Sequence, residues 1–416
     1  MRYTRTAAIT ATLAAGALAL SACAGGDNGN GGTDDPQGGG TVTITWAASI
    51  LGEPSRGPLL QAMIDDYNAS QDRIRVEPAS IPFSSFGSTI ATQLGGGGGP
   101  DLIAFDHPNF FASVDAGHVE PIDDIVDEST LLPGNDDLRI DGTRYGTALD
   151  IGNYALIYNP DLVTTVPTTF EELVAEAKAL TGDGIFGYAM RHTQAEEAGV
   201  WYDLSGFIYG FGGEWSDSDG NPTINSDENV RGVEAYKEIY DAGVIPQGTD
   251  AATYRKMFAE GTVAFMIDNG GLPTALEGTN PNVALDAAPS PLPSGVTGQV
   301  MAVLGVNANG RHIAETKEFF SWLLAPEQQA RIQAFLGGST VATIVERTQA
   351  ELEQRPYVAV FDEAGENAKT YVPTGLGVIT PQIRTIVVTA VLEALQTGGD
   401  IREALDRAQV DVEGLL

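Results

Sequence analysis

From Thr41 the chain alternates polar and apolar residues, Thr41-Val42-Thr43-Ile44-Thr45-Trp46, the two-residue period of a strand with one face buried. Gly52, Pro54 and Gly57 then mark a turn-rich stretch. Leu59, Leu60, Met63, Ile64 and Tyr67 follow at the spacing that places apolar side chains on one face of a helix. Ile74-Arg75-Val76 predicts a second strand. A polar helix over 84–94 runs into the five glycines 95–99, and Pro100-Asp101-Leu102-Ile103-Ala104-Phe105 predicts a third strand. Strands separated by helices predict parallel α/β units, whose ligands sit beyond the carboxyl ends of the strands. The loops after Trp46 and after Phe105 are therefore expected near any site.

Farther along, Tyr154-Ala155-Leu156-Ile157-Tyr158 predicts a buried strand ended by Asn159-Pro160. Thr168 and Glu171 are spaced as a capping box for a helix whose apolar residues are Phe170, Leu173, Val174 and Ala177. After a turn cluster at 217–222, a helix over about 226–241 carries Val230, Val233, Tyr236 and Tyr240 on one face, with Gly243 as its C-terminal cap. A helix around 318–335 carries Phe319, Phe320, Trp322 and Leu323, read as core. No period of about 20 to 50 residues repeats, so the chain is not a solenoid.

The first residues follow a different pattern. Arg2 and Arg5 precede an uncharged, Ala-rich apolar run over 6–20. That run is shorter than the roughly 20 residues a membrane-spanning helix needs, so it reads as the core of a signal peptide over 1–22. No other stretch reads as apolar enough to span a bilayer. Leu20-Ser21-Ala22-Cys23 resembles the lipobox of bacterial lipoproteins, which implies a lipid on Cys23 as anchor to the outer face of the cell membrane. Cys23 is the only cysteine. No disulfide within the monomer and no cysteine-based chemistry are expected. Residues 24–40 contain no large apolar side chain and predict a flexible tether, giving a linker over 23–40.

Composition narrows the functional classes. The 416 residues are 43% hydrophobic and 19% charged, which is globular and long enough for two or more domains. A formal net charge of -34 repels nucleic acid, and it suits a secreted, soluble protein or one adapted to salt. The glycines 95–99 are followed by Pro100-Asp101 instead of the Lys-Ser/Thr of a phosphate loop. His107, His118, His192 and His312 are scattered, without metal-ligand or catalytic spacing. Among 56 acids no pattern sets two across a scissile bond. Neither catalysis, a metal nor a cofactor is expected.

Several phrases resemble the extracellular solute-binding proteins of ABC importers, family 1, in the cluster around maltose-binding protein. They are Gly99-Pro100-Asp101-Leu102-Ile103, Tyr145-Gly146-Thr147-Ala148-Leu149-Asp150 with Leu156-Ile157-Tyr158-Asn159-Pro160-Asp161, and Pro167-Thr168-Thr169-Phe170-Glu171-Glu172-Leu173. Phe258-Ala259-Glu260-Gly261-Thr262-Val263-Ala264-Phe265-Met266 follows, then Arg384-Thr385 and Leu405-Asp406-Arg407-Ala408-Gln409. They occur in family order over roughly 41–416. The resemblance implies an α/β, two-lobe periplasmic-binding-protein-like fold, with a hinge of crossing segments and a central ligand cleft. Lobe 1 is expected at 41–150 plus about 306–342, and lobe 2 at about 151–305 plus 343–416. It also implies a monomer that captures a small molecule, a mono- or oligosaccharide, for an ABC membrane permease, with no nucleic acid as partner. The competing readings are a secreted carbohydrate-active enzyme, a surface structural protein, or a binder of a polyol or glycerol phosphate compound.

By the same resemblance Phe105 stands where the family stacks an aromatic on a sugar ring, and Asp150 where a carboxylate accepts sugar hydroxyls. Tyr202 matches a cleft aromatic and Arg384 a cleft arginine. Trp46, Ser49, Phe86, Asp106, Trp201, Asn269 and Gly270 complete the expected ligand site. Alternatives stay open: Phe105 as core, Asp150 as a hinge hydrogen-bonder, Arg384 as a structural ion pair. The chain departs from maltose-binding protein at Thr380 and Gly271, which replace stacking tryptophans, and at Pro108, which replaces a cleft aspartate. Trp201 and Asp106 are the expected substitutes. These departures bear on which sugar is bound.

Overall fold

The computed structural model describes residues 40–416; the signal segment, Cys23 and the tether up to residue 39 lie outside the described residues. The first α/β units follow the predicted alternation. Strand β1 (Val42–Ala47) leads to helix α1 (Gly57–Ser70), which buries Leu60, Met63, Ile64 and Tyr67. Then come β2 (Ile74–Ala79), α2 (Phe83–Gly95), β3 (Leu102–Asp106) and α3 (His107–Asp115). A short strand β4 (Val119–Glu120) and the hairpin β5 (Arg139–Ile140) and β6 (Thr143–Arg144) precede the 13-residue β7 (Gly146–Tyr158). The chain continues through α4 (Phe170–Leu180), β8 (Phe186–Tyr188), α5 (Glu197–Gly210), α6 (Asp227–Asp241), α7 (Ala251–Ala259) and β9 (Val263–Asn269). It then forms α8 (Leu272–Thr279), β10 (Asp286–Ala288) and the long β11 (Thr297–Asn307). Helices α9 (Ile313–Leu323), α10 (Pro326–Leu336), α11 (Gln349–Gln354) and α12 (Val358–Gly365), strand β12 (Ala368–Thr370), α13 (Thr380–Thr397) and α14 (Ile401–Glu413) complete it.

The strands lie in the order β2-β1-β3-β11-β7-β9-β8. β1 pairs parallel with β2 and β3, and β8 parallel with β9, as expected of α/β units. The middle of the sheet is antiparallel instead, because β7 and β11 cross between two half-sheets. Residues 146–153 of β7 pair with β11, whereas residues 154–158 pair with β9. β11 in turn pairs with β3. The register of β7 against β11 shifts between Ala302 and Val303, which places Leu149 at a bulge next to Asp150. A third segment runs over the same junction: Thr340 and Ile151 exchange backbone bonds of 2.8 and 2.9 Å, and Gly338 donates to Gly270 over 2.9 Å. A Cβ on Gly270 would lie 2.5 Å from the Gly338 carbonyl, so this crossing depends on two glycines packed backbone to backbone.

Two lobes result, each with its own core. Ile44, Trp46, Leu60, Phe319, Phe320 and Leu336 fill the first, between β1, β3 and helices α1, α9 and α10. Trp201, Trp215, Tyr236, Val388 and Leu405 belong to the second, where α5, α6, α13 and α14 pack together. Phe319, Phe320 and Leu323 are core as expected, but the single helix expected around 318–335 is two. Pro326 opens α10 at a position where its missing N–H costs nothing. The cap of α4 is shifted by one residue: Thr169 accepts from the Glu172 N–H, while the Glu172 carboxylate accepts from the Thr168 N–H and hydroxyl. A further correction concerns apolar length. The segment Gly377–Thr397 is long and apolar enough to cross a bilayer by composition, and in the fold its buried residues pack into the second core.

Candidate functional site

The two lobes meet across a cleft at the carboxyl ends of β1 and β3, where the parallel order placed it. β3 delivers Asp106 to this edge, and α13 of the other lobe brings Arg384 to it. Arg384 Nη1 lies 3.1 Å from Asp106 Oδ2, and its Nε lies 3.1 Å from Glu197 Oε1 at the first turn of α5. The Thr385 hydroxyl donates to the same Glu197 oxygen over 3.0 Å. Burial works against the Arg384 charge, but Asp106, Tyr202 and Glu197 outweigh it and hold the guanidinium protonated. One cation thus bridges carboxylates of both lobes.

Tyr202 lies one turn into α5 and is 3% exposed, with no hydrogen-bond partner for its hydroxyl. Its ring stacks on Tyr371 at 4.9 Å and 21°, and Tyr209 stacks on Tyr371 in turn at 6.3 Å and 12°. Burial raises the Tyr202 phenol, and the Asp106 charge raises it further. The hydroxyl is therefore a neutral donor at physiological pH, within electrostatic range of Asp106, Arg384 and Asp150.

Asp150 sits beside the β7 bulge, half-buried. Burial pushes its carboxyl up to about 6; nearby Arg56 opposes this shift and Glu53 adds to it. Arg56 grips Glu53 by two bonds of 2.6 and 2.8 Å. Its Nη1 would lie 2.7 Å from a Cβ built on Gly271, so this arginine of lobe 1 packs directly on lobe 2. A cavity of about 300 Å³ opens here between Glu53, Arg56, Arg255, Asn269 and Leu272.

Asn269 is fixed from behind. Its Nδ2 donates to Asp268 over 2.9 Å and its Oδ1 accepts from the Gly271 N–H over 3.0 Å. Asp268 is fully buried, pairs with Arg255 at 2.7 Å and lies 3.5 Å from Arg191, which pairs with Asp203 at 2.6 Å. Gly270, expected at the ligand, has both backbone groups bonded within the crossing, donating to Asn153 and accepting from Gly338.

The expected residues therefore divide. Asp106, Asp150, Tyr202, Asn269 and Arg384 converge on the interlobe cleft, and Ser49 lies half-buried in the 3-10 turn Ser49–Gly52 that leads to Glu53. Four aromatics expected in the ligand site, Phe105 and Trp201 among them as platforms, are core side chains instead. Trp46 meets Phe319 edge-on at 5.6 Å, Phe105 meets Phe110 edge-on at 6.0 Å, and Trp201 stacks on Trp215 at 4.5 Å. Phe86 packs with Phe105 in the lobe 1 core, where both line a cavity of about 230 Å³ between α2 and α3. Trp46 and Phe105 face inward from β1 and β3, and Phe86 and Trp201 face inward from α2 and α5. Thr380, at a tryptophan position of maltose-binding protein, is buried and donates to the Leu376 carbonyl over 2.9 Å. Glu53, Arg56, Glu197 and Tyr371 reach the site without having been singled out in the sequence. The signal for Glu197 was its place one helical turn ahead of Trp201-Tyr202.

Two lobes, three crossings and a polar cleft at strand ends define a two-lobe solute-binding protein. The chain belongs to the family described as bacterial extracellular solute-binding protein, whose model matches residues 52–330. It is 24% identical over 248 residues to the maltotriose-binding protein of Pyrococcus abyssi, an alignment covering 58% of this chain and 52% of that protein. The chain thus spans about half the length of this curated relative. Among solved structures it superposes on the GacH receptor of Streptomyces glaucescens, crystallised unliganded and with acarbose, with a TM-score of 0.80 at 20% identity over 90% of this chain and 98% of that one. It superposes equally well, at 0.80 and 21% identity, on maltose-bound MalE3 of T. maritima, covering 90% and 100% of the two chains.

Proposed function

We propose that this chain is a non-catalytic receptor that captures a neutral saccharide in the interlobe cleft and delivers it to an ABC permease, tethered to the outer face of the cell membrane through a lipid on Cys23. The observation that carries the reading is the cleft itself: Asp106, Glu197, Arg384 and an unpartnered Tyr202 hydroxyl converge from two lobes beside stacked aromatic rings. Sugar hydroxyls need charge-assisted acceptors and donors at fixed angles, and pyranose rings offer apolar faces to aromatics. The polar partners are present in the Asp106–Arg384–Glu197 bridge, and the Tyr202 ring borders it. The maltotriose, maltose and acarbose named for the relatives belong to the same chemical class.

In this reading lobe 1 comprises 41–150 and about 306–342, and lobe 2 about 151–305 and 343–416; the switch of β7 from β11 to β9 supports the first boundary. Ligand contacts are assigned to Asp106, Asp150, Tyr202, Asn269, Glu197 and Arg384. Arginine and carboxylate already neutralise each other there, which disfavours phosphorylated ligands.

A thermal-shift panel of malto-oligosaccharides, other oligosaccharides and polyols tests the function. A true ligand at about 100 times its Kd adds roughly 2.7 kcal/mol of stability and is recovered intact. No shift with any saccharide would overturn the saccharide reading, and cleaved product would overturn the non-catalytic one. For the anchor, Cys23→Ser is expected to release the protein from the membrane fraction; retention would refute lipidation.

A further inference from the structure

Helix α8 of lobe 2 turns two glycines toward lobe 1. Gly271, at its N-terminal cap, and Gly278, in its last turn, are spaced to share one face of the helix. One corner of lobe 1 meets both. A Cβ on Gly271 would lie 2.7 Å from Arg56 Nη1, and a Cβ on Gly278 would lie 2.1 Å from the Ser55 Cβ and 3.1 Å from its Cα. The two clashes differ in kind. The Arg56 guanidinium ends a flexible side chain and can swing aside, whereas Ser55 would have to move with its backbone. That backbone is held: the Gly57 N–H donates to the Glu53 carbonyl over 2.9 Å, and Arg56 closes the same turn by gripping the Glu53 carboxylate. The lobes can meet at this corner because residue 278 has no side chain.

We infer that the Ser55–Gly278 contact is an end wall of the cleft that limits ligand length, so that the chain takes, on the saccharide reading above, a sugar of one or two rings in place of an extended oligosaccharide. Asp150 is within electrostatic range of both Arg56 and Tyr202. The polar site therefore lies between this corner and the second place where the lobes touch, Phe83 against Tyr202 with ring centroids 6.5 Å apart. Beside the corner, the cavity bordered by Ser55, Arg56, Asn269, Leu272 and Leu276 holds about 300 Å³, at the lower limit of small-molecule sites, which span roughly 300–1,000 Å³. A terminal ring suits a space of that size. A further ring has to part Ser55 from Gly278, and with that contact it gives up closure. Added length past this point lowers affinity, because the ligand loses its preference for the closed state.

The test is calorimetric titration of the full chain, wild type and Gly278→Ala, against glucose and its α- and β-linked oligomers of two, three and six rings. Wild-type affinity is expected to peak at one or two rings and to fall about tenfold or more by six. Gly278→Ala keeps the wall from seating, so it is expected to weaken binding of the short sugars about tenfold and to bring short and long ones within about threefold of each other. Its ligand-free Tm is expected to stay level or rise, since alanine is the better helix former and separated lobes leave its methyl group free. A wild-type affinity that rises from two rings to six overturns the inference and leaves the saccharide reading intact. So does a Gly278→Ala protein that binds the short sugars like wild type, or one whose ligand-free Tm falls, which would make the contact part of the ligand-free fold. A wild-type protein that binds no member of either series sinks the saccharide reading, and this inference with it.

Discussion

Asp150 stands where β7 leaves one half-sheet for the other, at a bulge, with its carboxyl pushed up to about 6 by burial. A carboxylate raised in the folded state binds its proton more tightly there than in the unfolded chain. Its cost to stability is therefore absent below the ordinary carboxylate range near pH 4 and fully present above about 6. Asp150→Asn is expected to raise ligand-free stability at pH 8 by about 1–3 kcal/mol, with the gain shrinking toward zero by pH 4. The same variant is expected to weaken ligand binding about tenfold through the loss of a charged hydrogen bond. Urea melts across pH check the first outcome, and a gain independent of pH would contradict it. At this scale the placement of the polar candidates at the cleft was legible in the sequence, and the burial of the aromatic ones was not. Asp106, at the end of β3, and Arg384, in the first turns of α13, reach the cleft because charged groups stay at a solvated edge or pair there instead of entering the core, and Asp150 is placed there by the bulge in β7. Phe105, Trp46 and Trp201 have the chemistry of a core residue and of a sugar platform alike, and only packing decides between them.

Elements explain how the cleft keeps its shape. α5, the segment after β8, α7 and β9 meet through one buried ion network, in which Arg191 pairs with Asp203 and Asp268 pairs with Arg255. The hydroxyl of Tyr236 donates to the Arg191 carbonyl and ties in α6. Both arginines stay charged against the cost of burial because Asp203 and Asp268 lie beside them. Asp268 in turn orients Asn269 at the cleft wall. Removing one partner of a buried ion cluster leaves an uncompensated charge, so Asp268→Asn is expected to cost about 3 kcal/mol. Adding Arg255→Met is expected to recover part of that loss, because it removes the charge left without its partner. Denaturant melts of the two variants check both outcomes; equal losses would place the network's stability elsewhere. None of this was visible from spacing, since its members are separated by up to 77 residues in sequence. Local signals fared better. The strands β1 to β3, α1, and α6 with its Ser226 cap and Gly243 beyond its end lie within a few residues of where periodicity put them. The exceptions have local causes, a proline that divides α9 from α10 and a threonine pair in which the second caps α4.

For the whole molecule, the alternation of strands and helices conveyed α/β units, but periodicity alone carried nothing about two long antiparallel crossings. A strand shared between two half-sheets looks locally like any other buried strand, and the ordered family phrases were what pointed to two lobes. The crossings confine relative movement to β7, β11 and the Gly338–Thr340 segment, the arrangement of a hinge. The lobes touch in this structure through Arg384–Asp106, Phe83–Tyr202 and Arg56 on Gly271. Such contacts describe the closed state, and a ligand touching both lobes favours it in proportion to its extra affinity for that state. The most direct test of ligand capture by closure is a distance. With Cys23 replaced by serine, Ala62→Cys in α1 and Glu234→Cys in α6 place spin labels on exposed positions of opposite lobes. Saturating saccharide is expected to shift the measured distance distribution to the shorter separation of this closed structure, from a longer one without ligand. An identical distribution with and without saturating ligand would contradict the account.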